Sequence, residues 1–77
     1  MAHSIGKFAV VIFFTNGDKE FLVGESEGYL WTTRSSEAAA RFMTRSGAES
    51  YAYKYMNLPD YDGRSVDEVR ACELNNW

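Results

Sequence analysis

Seventy-seven residues with a formal net charge of −3 and a single cysteine read as one domain, 1–77, with no internal disulfide, resting on packing as suits a reducing cytosol. The acidic balance argues against strong nonspecific nucleic-acid binding, which depends on neutralising phosphates. No apolar run nears the roughly 20 residues of a membrane span, and Met1-Ala2-His3-Ser4 lacks the basic and apolar regions of a signal peptide, so a cytoplasmic protein is expected.

The first element is a β-hairpin. Residues 8–15 and 18–23 flank Asn16-Gly17, the signature of a type I′ turn with φ > 0 at both central residues. That turn predicts a register in which Phe14 faces Lys19, Ile12 faces Phe21 and Val10 faces Val23. On the other side Phe13 faces Glu20 and Val11 faces Leu22. The first strand is apolar on both sides, as a central strand is. Gly24-Glu25-Ser26-Glu27-Gly28 reads as a polar loop. Tyr29-Leu30-Trp31-Thr32-Thr33 reads as a short third strand with Tyr29, Trp31 and Thr33 on one face.

Ser35 or Ser36 can cap a helix beginning at Glu37, and Ala38, Ala39 and Ala40 favour it. Ser46-Gly47-Ala48-Glu49 has capping-box spacing. Two helical segments with a bend are predicted, about 36–43 and 47–56. The second has Ala48, Tyr51, Ala52 and Tyr55 toward the core, and Phe42 is buried in the first. Pro59 and Asp60-Tyr61-Asp62-Gly63 then form a turn. Residues 69–74 fit a strand or a helix; the strand is preferred, because the first strand needs a second neighbour. A right-handed crossover would bring it back. The expected fold is α+β: a small antiparallel sheet of three to four strands, including the N-terminal hairpin, with a bent helix packed on one face.

No catalytic constellation is legible. The only histidine is His3, and Cys72 has no histidine near it in sequence. Asp60-x-Asp62-Gly63 departs from the calcium-loop pattern, with Gly63 too early and Arg64 where an acid is needed. No metal, cofactor or enzymatic activity is expected.

Two surfaces point to binding. If the helix covers Phe8, Val10, Ile12, Phe14, Phe21 and Val23, then Ala9, Val11, Phe13 and Leu22 form an apolar patch opposite. A partner or a second copy of the chain would bury it, unless residues 74–77 fold over it. An acidic surface of Glu20, Glu25, Glu27, Asp60, Asp62, Asp67 and Glu68 could compete for a basic channel in a protein partner. The alternative is stacking of single-stranded bases on Trp31 with Arg34, Arg41 and Arg45.

Gly28-Tyr29-Leu30-Trp31-Thr32-Thr33, Glu37-Ala38-Ala39-Ala40-Arg41-Phe42-Met43-Thr44 and Ala48-Glu49-Ser50-Tyr51-Ala52 together resemble a pattern met in small bacteriophage proteins. The resemblance covers roughly half of the chain. It implies a phage or prophage accessory protein acting in the host cytoplasm. Phage proteins of that size and charge often act by binding a host protein, anti-CRISPR inhibitors among them. It transfers no functional residue. The expected function is therefore a nonenzymatic protein-binding module, a phage-encoded inhibitor of a host or defence protein, with a small nucleic-acid-binding regulator as the alternative.

Overall fold

The computed structural model describes residues 6–26 and 29–74. It contains the strands β1 (Phe8–Phe14), β2 (Lys19–Ser26), β3 (Tyr29–Thr33), β4 (Asp60–Tyr61) and β5 (Arg64–Glu73). Between β3 and β4 lie a 3-10 turn (Ser36–Ala38) and one helix, α1 (Arg45–Lys54). The sheet order is β3-β2-β1-β5-β4, and every neighbouring pair is antiparallel. The class is α+β, with five strands where three to four were expected. β1 is central, as its two-sided apolarity predicts. Its second neighbour, β5, runs antiparallel to it, so no parallel crossover is involved.

The extra strand comes from Asp62-Gly63. Their φ angles are 56° and 76°, and Tyr61 pairs with Arg64. Two central residues at positive φ between paired neighbours make this a type I′ hairpin. Read as a helix-ending turn, it concealed both β4 and the first half of β5.

At Asn16-Gly17 the type I′ expectation fails. Gly17 has φ 97°, but Asp62 is the only non-glycine residue described with positive φ, so Asn16 is not left-handed. Phe14 N–H donates to the Asp18 carbonyl at 2.9 Å and Gly17 N–H to the Phe14 carbonyl at 3.0 Å. The loop is thus three residues, 15–17, with glycine at its left-handed position, the second common hairpin solution. Asn16 Oδ1 accepts from Asp18 N–H at 2.9 Å, and that side-chain bond favours this loop over the tighter one.

The register moves by one residue: Val11 pairs with Phe21, Ile12 with Glu20 and Phe13 with Lys19. A slip of one transfers each β2 side chain to the other face. Leu22 joins Val10, Ile12, Phe14, Val69 and Ala71 beneath Ala48 and Ala52 of α1. Phe21 joins Ala9, Val11 and Ala39 on the opposite face, with Phe13, Cys72 and Leu74 packed around them. Ile12, Leu22, Val10 and Val11 are the largest fully buried side chains, each contributing about 1.5–3 kcal/mol on burial. The face expected to be open is filled.

The Ala-rich run does not form a helix beyond its first turn. Ser35 accepts from Glu37 N–H at 3.3 Å and caps only the 3-10 turn. The chain then extends to pair with sheet backbone on the side of β1 facing β2. Ala40 N–H donates to the Leu22 carbonyl at 2.9 Å, and Phe42 and Phe8 exchange hydrogen bonds of 2.8 and 3.2 Å. These tertiary bonds and the burial of Ala39 outweigh alanine's helix propensity. Gly6 makes the approach possible: at φ 140° a Cβ there would lie 2.3 Å from the Phe42 carbonyl oxygen.

Helix α1 starts earlier than expected because Thr44, not Ser46, is its N-cap, accepting from Gly47 N–H at 3.0 Å. Ala48 and Ala52 are buried as predicted, whereas Tyr51 is at the exposed rim, edge-to-face with Phe42 at 5.1 Å. Phe42 and Tyr55 pack partly buried against the core.

Val11 is 0% exposed, so Val11→Lys will not leave a folded monomer. The expected loss is at least about 3 kcal/mol, read as collapse of the thermal transition by circular dichroism.

Candidate functional site

The most concentrated polar cluster is built on Glu20 and Arg64. Glu20 lies on β2 opposite Ile12 and is 7% exposed. It accepts 2.6 Å hydrogen bonds from Thr32 Oγ1 and Arg64 Nη2, with Arg34 Nε 3.7 Å away. Arg64 also reaches Asp18 and Asp62, each at 3.2 Å, and its guanidinium lies 3.9 Å from the Phe14 ring centroid. This Arg–carboxylate fork over an aromatic face uses the properties that separate arginine from lysine. Burial alone raises the Glu20 pKa; the Thr32 and Arg64 hydrogen bonds and the charges of Arg64 and Arg34 outweigh it and hold the carboxyl below its ordinary value. The Glu20 hydrogen bond chiefly raises the Arg64 pKa, against some desolvation.

Tyr61 extends the cluster across the sheet. Its hydroxyl donates to the Leu30 carbonyl at 3.1 Å and lies 3.3 Å from Thr32 Oγ1. Tyr61 is on β4 and Leu30 on β3, opposite ends of the strand order. The sheet therefore curls until its two edges touch, and the cluster joins them. It holds both charges ionised near neutral pH, so it closes a fold and does not poise a proton for transfer.

The other acids expected to face a partner are divided. Glu25 accepts from Lys54 Nζ at 3.1 Å and from the Tyr55 hydroxyl, tying β2 to the end of α1. Asp62 is engaged by Arg64, Asp60 is exposed on β4, and Glu27 lies outside the described residues, as does His3. Glu20, Glu25 and Asp62 have cationic partners within the chain, which weakens the case for one free acidic surface. Of the expected apolar contacts, Val11 and Leu22 are 0% and 2% exposed and lie on opposite faces, because of the register. Phe13 is half-buried, with the Arg70 guanidinium 4.9 Å from its ring centroid.

The three arginines of the nucleic-acid alternative have separate attachments. Arg34 approaches Glu20. Arg41 donates to the carbonyls of Gly6 and Ser36 at 3.5 and 3.3 Å. Arg45 lies 5.2 Å from the Phe8 ring centroid. Cys72 is half-buried; burial pushes its thiol pKa up, against the pull of Arg70 and Arg45, which disfavours the thiolate a nucleophile needs. Among the described residues no group of His, Cys, Asp and Glu could hold a metal ion, and no helix is long and apolar enough to cross a membrane.

Sequence reasoning missed where the exposed apolar surface falls. Tyr29 and Trp31 share one face of β3, as predicted, and are 73% and 54% exposed. A β-bulge lies between Leu22 and Gly24, and Gly24 is Trp31's register partner. The bulge sets Val23 and Gly24 together against Trp31. Val23 is 41% exposed, and the Trp31 ring lies over Gly24, 3.9 Å from where a Cβ would be. No family model, curated protein or solved structure matches the chain.

Because the folded pKa of Glu20 lies below its unfolded value, the stability it contributes is full above that unfolded value and is lost as pH falls through the folded one. Glu20→Gln removes this component. Urea midpoints followed downward from about pH 7 are expected to fall more steeply for the wild type than for Glu20→Gln.

Proposed function

We propose that this chain is a nonenzymatic protein-binding module that docks through Tyr29, Trp31 and Val23. The observation that carries the reading is the exposure of Tyr29 and Trp31, 73% and 54%, side by side on one face of a sheet-edge strand. Large aromatics with few rotamers supply most of the energy at protein interfaces, with tryptophan and tyrosine enriched at hot spots. The Gly24 platform beneath Trp31 orders the indole before binding, which lowers the entropic cost of association. The partner's complementary surface is an apolar groove that admits both rings. The resemblance to small phage proteins, the size and the acidity support the narrower reading of a phage-encoded inhibitor of a host or defence protein. The net charge of −3 and the separate attachments of Arg34, Arg41 and Arg45 favour a protein over a nucleic-acid partner.

Immobilised wild-type chain and the variants Trp31→Ala and Tyr29→Ala test this in host lysate at modest salt. The wild type is expected to retain one protein in stoichiometric amount. Each variant, with unchanged circular dichroism, loses at least about 2 kcal/mol of affinity, roughly thirtyfold. Capture indifferent to both substitutions, or retention of nucleic acid that weakens steeply with salt, would overturn the reading.

A further inference from the structure

The loop between β1 and β2 carries the chain's one Asn-Gly pair, and Thr15, Asn16, Gly17 and Asp18 are all exposed. Asparagine is a thermolabile residue, because the backbone nitrogen that follows it can attack its side-chain carbonyl carbon. A side chain on the next residue hinders that attack, and glycine has none. Here the fold itself demands the glycine: Gly17 takes the left-handed position of the loop at φ 97°. A Cβ there would meet nothing within 4 Å, so the pair lies open to water. Three hydrogen bonds oppose the reaction. Gly17 N–H, which must lose its proton to attack, donates to the Phe14 carbonyl at 3.0 Å. Asn16 Oδ1 accepts from Asp18 N–H at 2.9 Å, and Asn16 Nδ2 donates to Asp18 Oδ2 at 3.2 Å. Both polar atoms of the carboxamide are thus held on Asp18. The same Asp18 oxygen accepts from Arg64 Nη1 at 3.2 Å, so the clamp is anchored on β5.

We propose that Asn16 is a site of spontaneous deamidation that the folded loop keeps closed and local opening of the hairpin exposes. In the opened loop the Gly17 nitrogen gives up its proton to solvent and bonds to Asn16 Cγ. The Cγ–Nδ2 bond breaks, and the leaving nitrogen regains a proton from solvent and departs as ammonia. Water then opens the resulting cyclic imide at either carbonyl, leaving aspartate or isoaspartate at position 16. Water is consumed, ammonia is released, and nothing is oxidised or reduced. In the isoaspartyl product the main chain runs through Cβ and Cγ, which adds an atom to a loop whose length sets the β1–β2 register. The change is one-way. A chain whose hairpin has opened for long enough is marked, and it closes again onto a loop that no longer fits.

Incubation at neutral pH, with and without denaturing urea, tests this in the wild type and in Asp18→Ala and Asp18→Asn. Mass spectrometry with peptide mapping follows the reaction and separates Asn16 from Asn57, Asn75 and Asn76. The folded wild type is expected to react at Asn16 roughly tenfold or more slowly than the same chain in urea, since the loop's hydrogen bonds must first break. That comparison needs no variant. Asp18→Ala, folded by circular dichroism, is expected to react a few-fold faster than the folded wild type. Asp18→Asn, whose side-chain oxygen still accepts from Asn16 Nδ2, stays near the wild-type rate. The isoaspartyl chain, separated after incubation, melts at a lower temperature than the unmodified one. Equal rates at Asn16 with and without urea would overturn the proposal, as would a folded Asp18→Ala no faster than the wild type. So would an Asp18→Asn as fast as Asp18→Ala, or an isoaspartyl chain with an unchanged melting temperature.

Discussion

Everything in this fold follows from a strand that must be buried on both faces. Val10, Ile12 and Phe14 face one way and Ala9 and Val11 the other, and all five are at most 3% exposed. A small chain can satisfy that demand only by covering both faces and pairing both edges of β1. Helix α1 covers one face with alanines, which let the helix backbone approach closely. The segment after the 3-10 turn helps to cover the other with Ala39. β2 and β5 supply the edges, and where β2 ends its pairing with β1, Phe42 takes over at Phe8.

The curl of the sheet is the second consequence. With one helix of ten residues there is little material to cap the inner face, so the strands bend around it until β3 and β4 meet. The polar cluster at that meeting point is fully partnered: no buried side-chain nitrogen or oxygen among the described residues lacks a hydrogen bond. Satisfying such a network matters more than the net strength of any one ion pair, because a buried carboxylate without its arginine is costly. This explains why acids that look available to a partner in the sequence serve the fold. Glu20 ties β2 to β5, and Glu25 ties β2 to α1.

The elements were largely legible from the sequence, and their relations were less so. The hairpin, the third strand, the second helical segment and the strand character of residues 69–74 follow from periodicity and turn chemistry. The register does not, because Asn16-Gly17 suits two loop lengths and the choice rests on one bond from Asn16 to Asp18. Asp62-Gly63 has the same ambiguity: read as a helix stop, it hid a hairpin. The Ala-rich run misled because helix propensity is local, whereas its bonds to Leu22 and Phe8 are tertiary. Arg64 carried no local signal at all, since its partners Glu20 and Asp18 lie 44 and 46 positions away. Trp31 was visible as an aromatic strand residue, but Gly24, the β2 residue it packs over, read as the start of a loop.

The one-residue register decides which of these surfaces exists. With Ile12 opposite Glu20, the carboxylate reaches Thr32 and Arg64, Leu22 enters the core beneath α1, and Phe21 closes the opposite face around Val11. With the tighter loop, Glu20 would lie opposite Phe13 and the two faces of β2 would exchange. Cross-strand nuclear Overhauser effects between α-protons read the register directly, since they are strong only for directly opposed, non-hydrogen-bonded pairs. Strong α-proton contacts are expected for Phe13 with Lys19 and for Val11 with Phe21. Contacts of Phe14 with Lys19 and of Ile12 with Phe21, the non-hydrogen-bonded pairs of the tighter loop, would contradict that register.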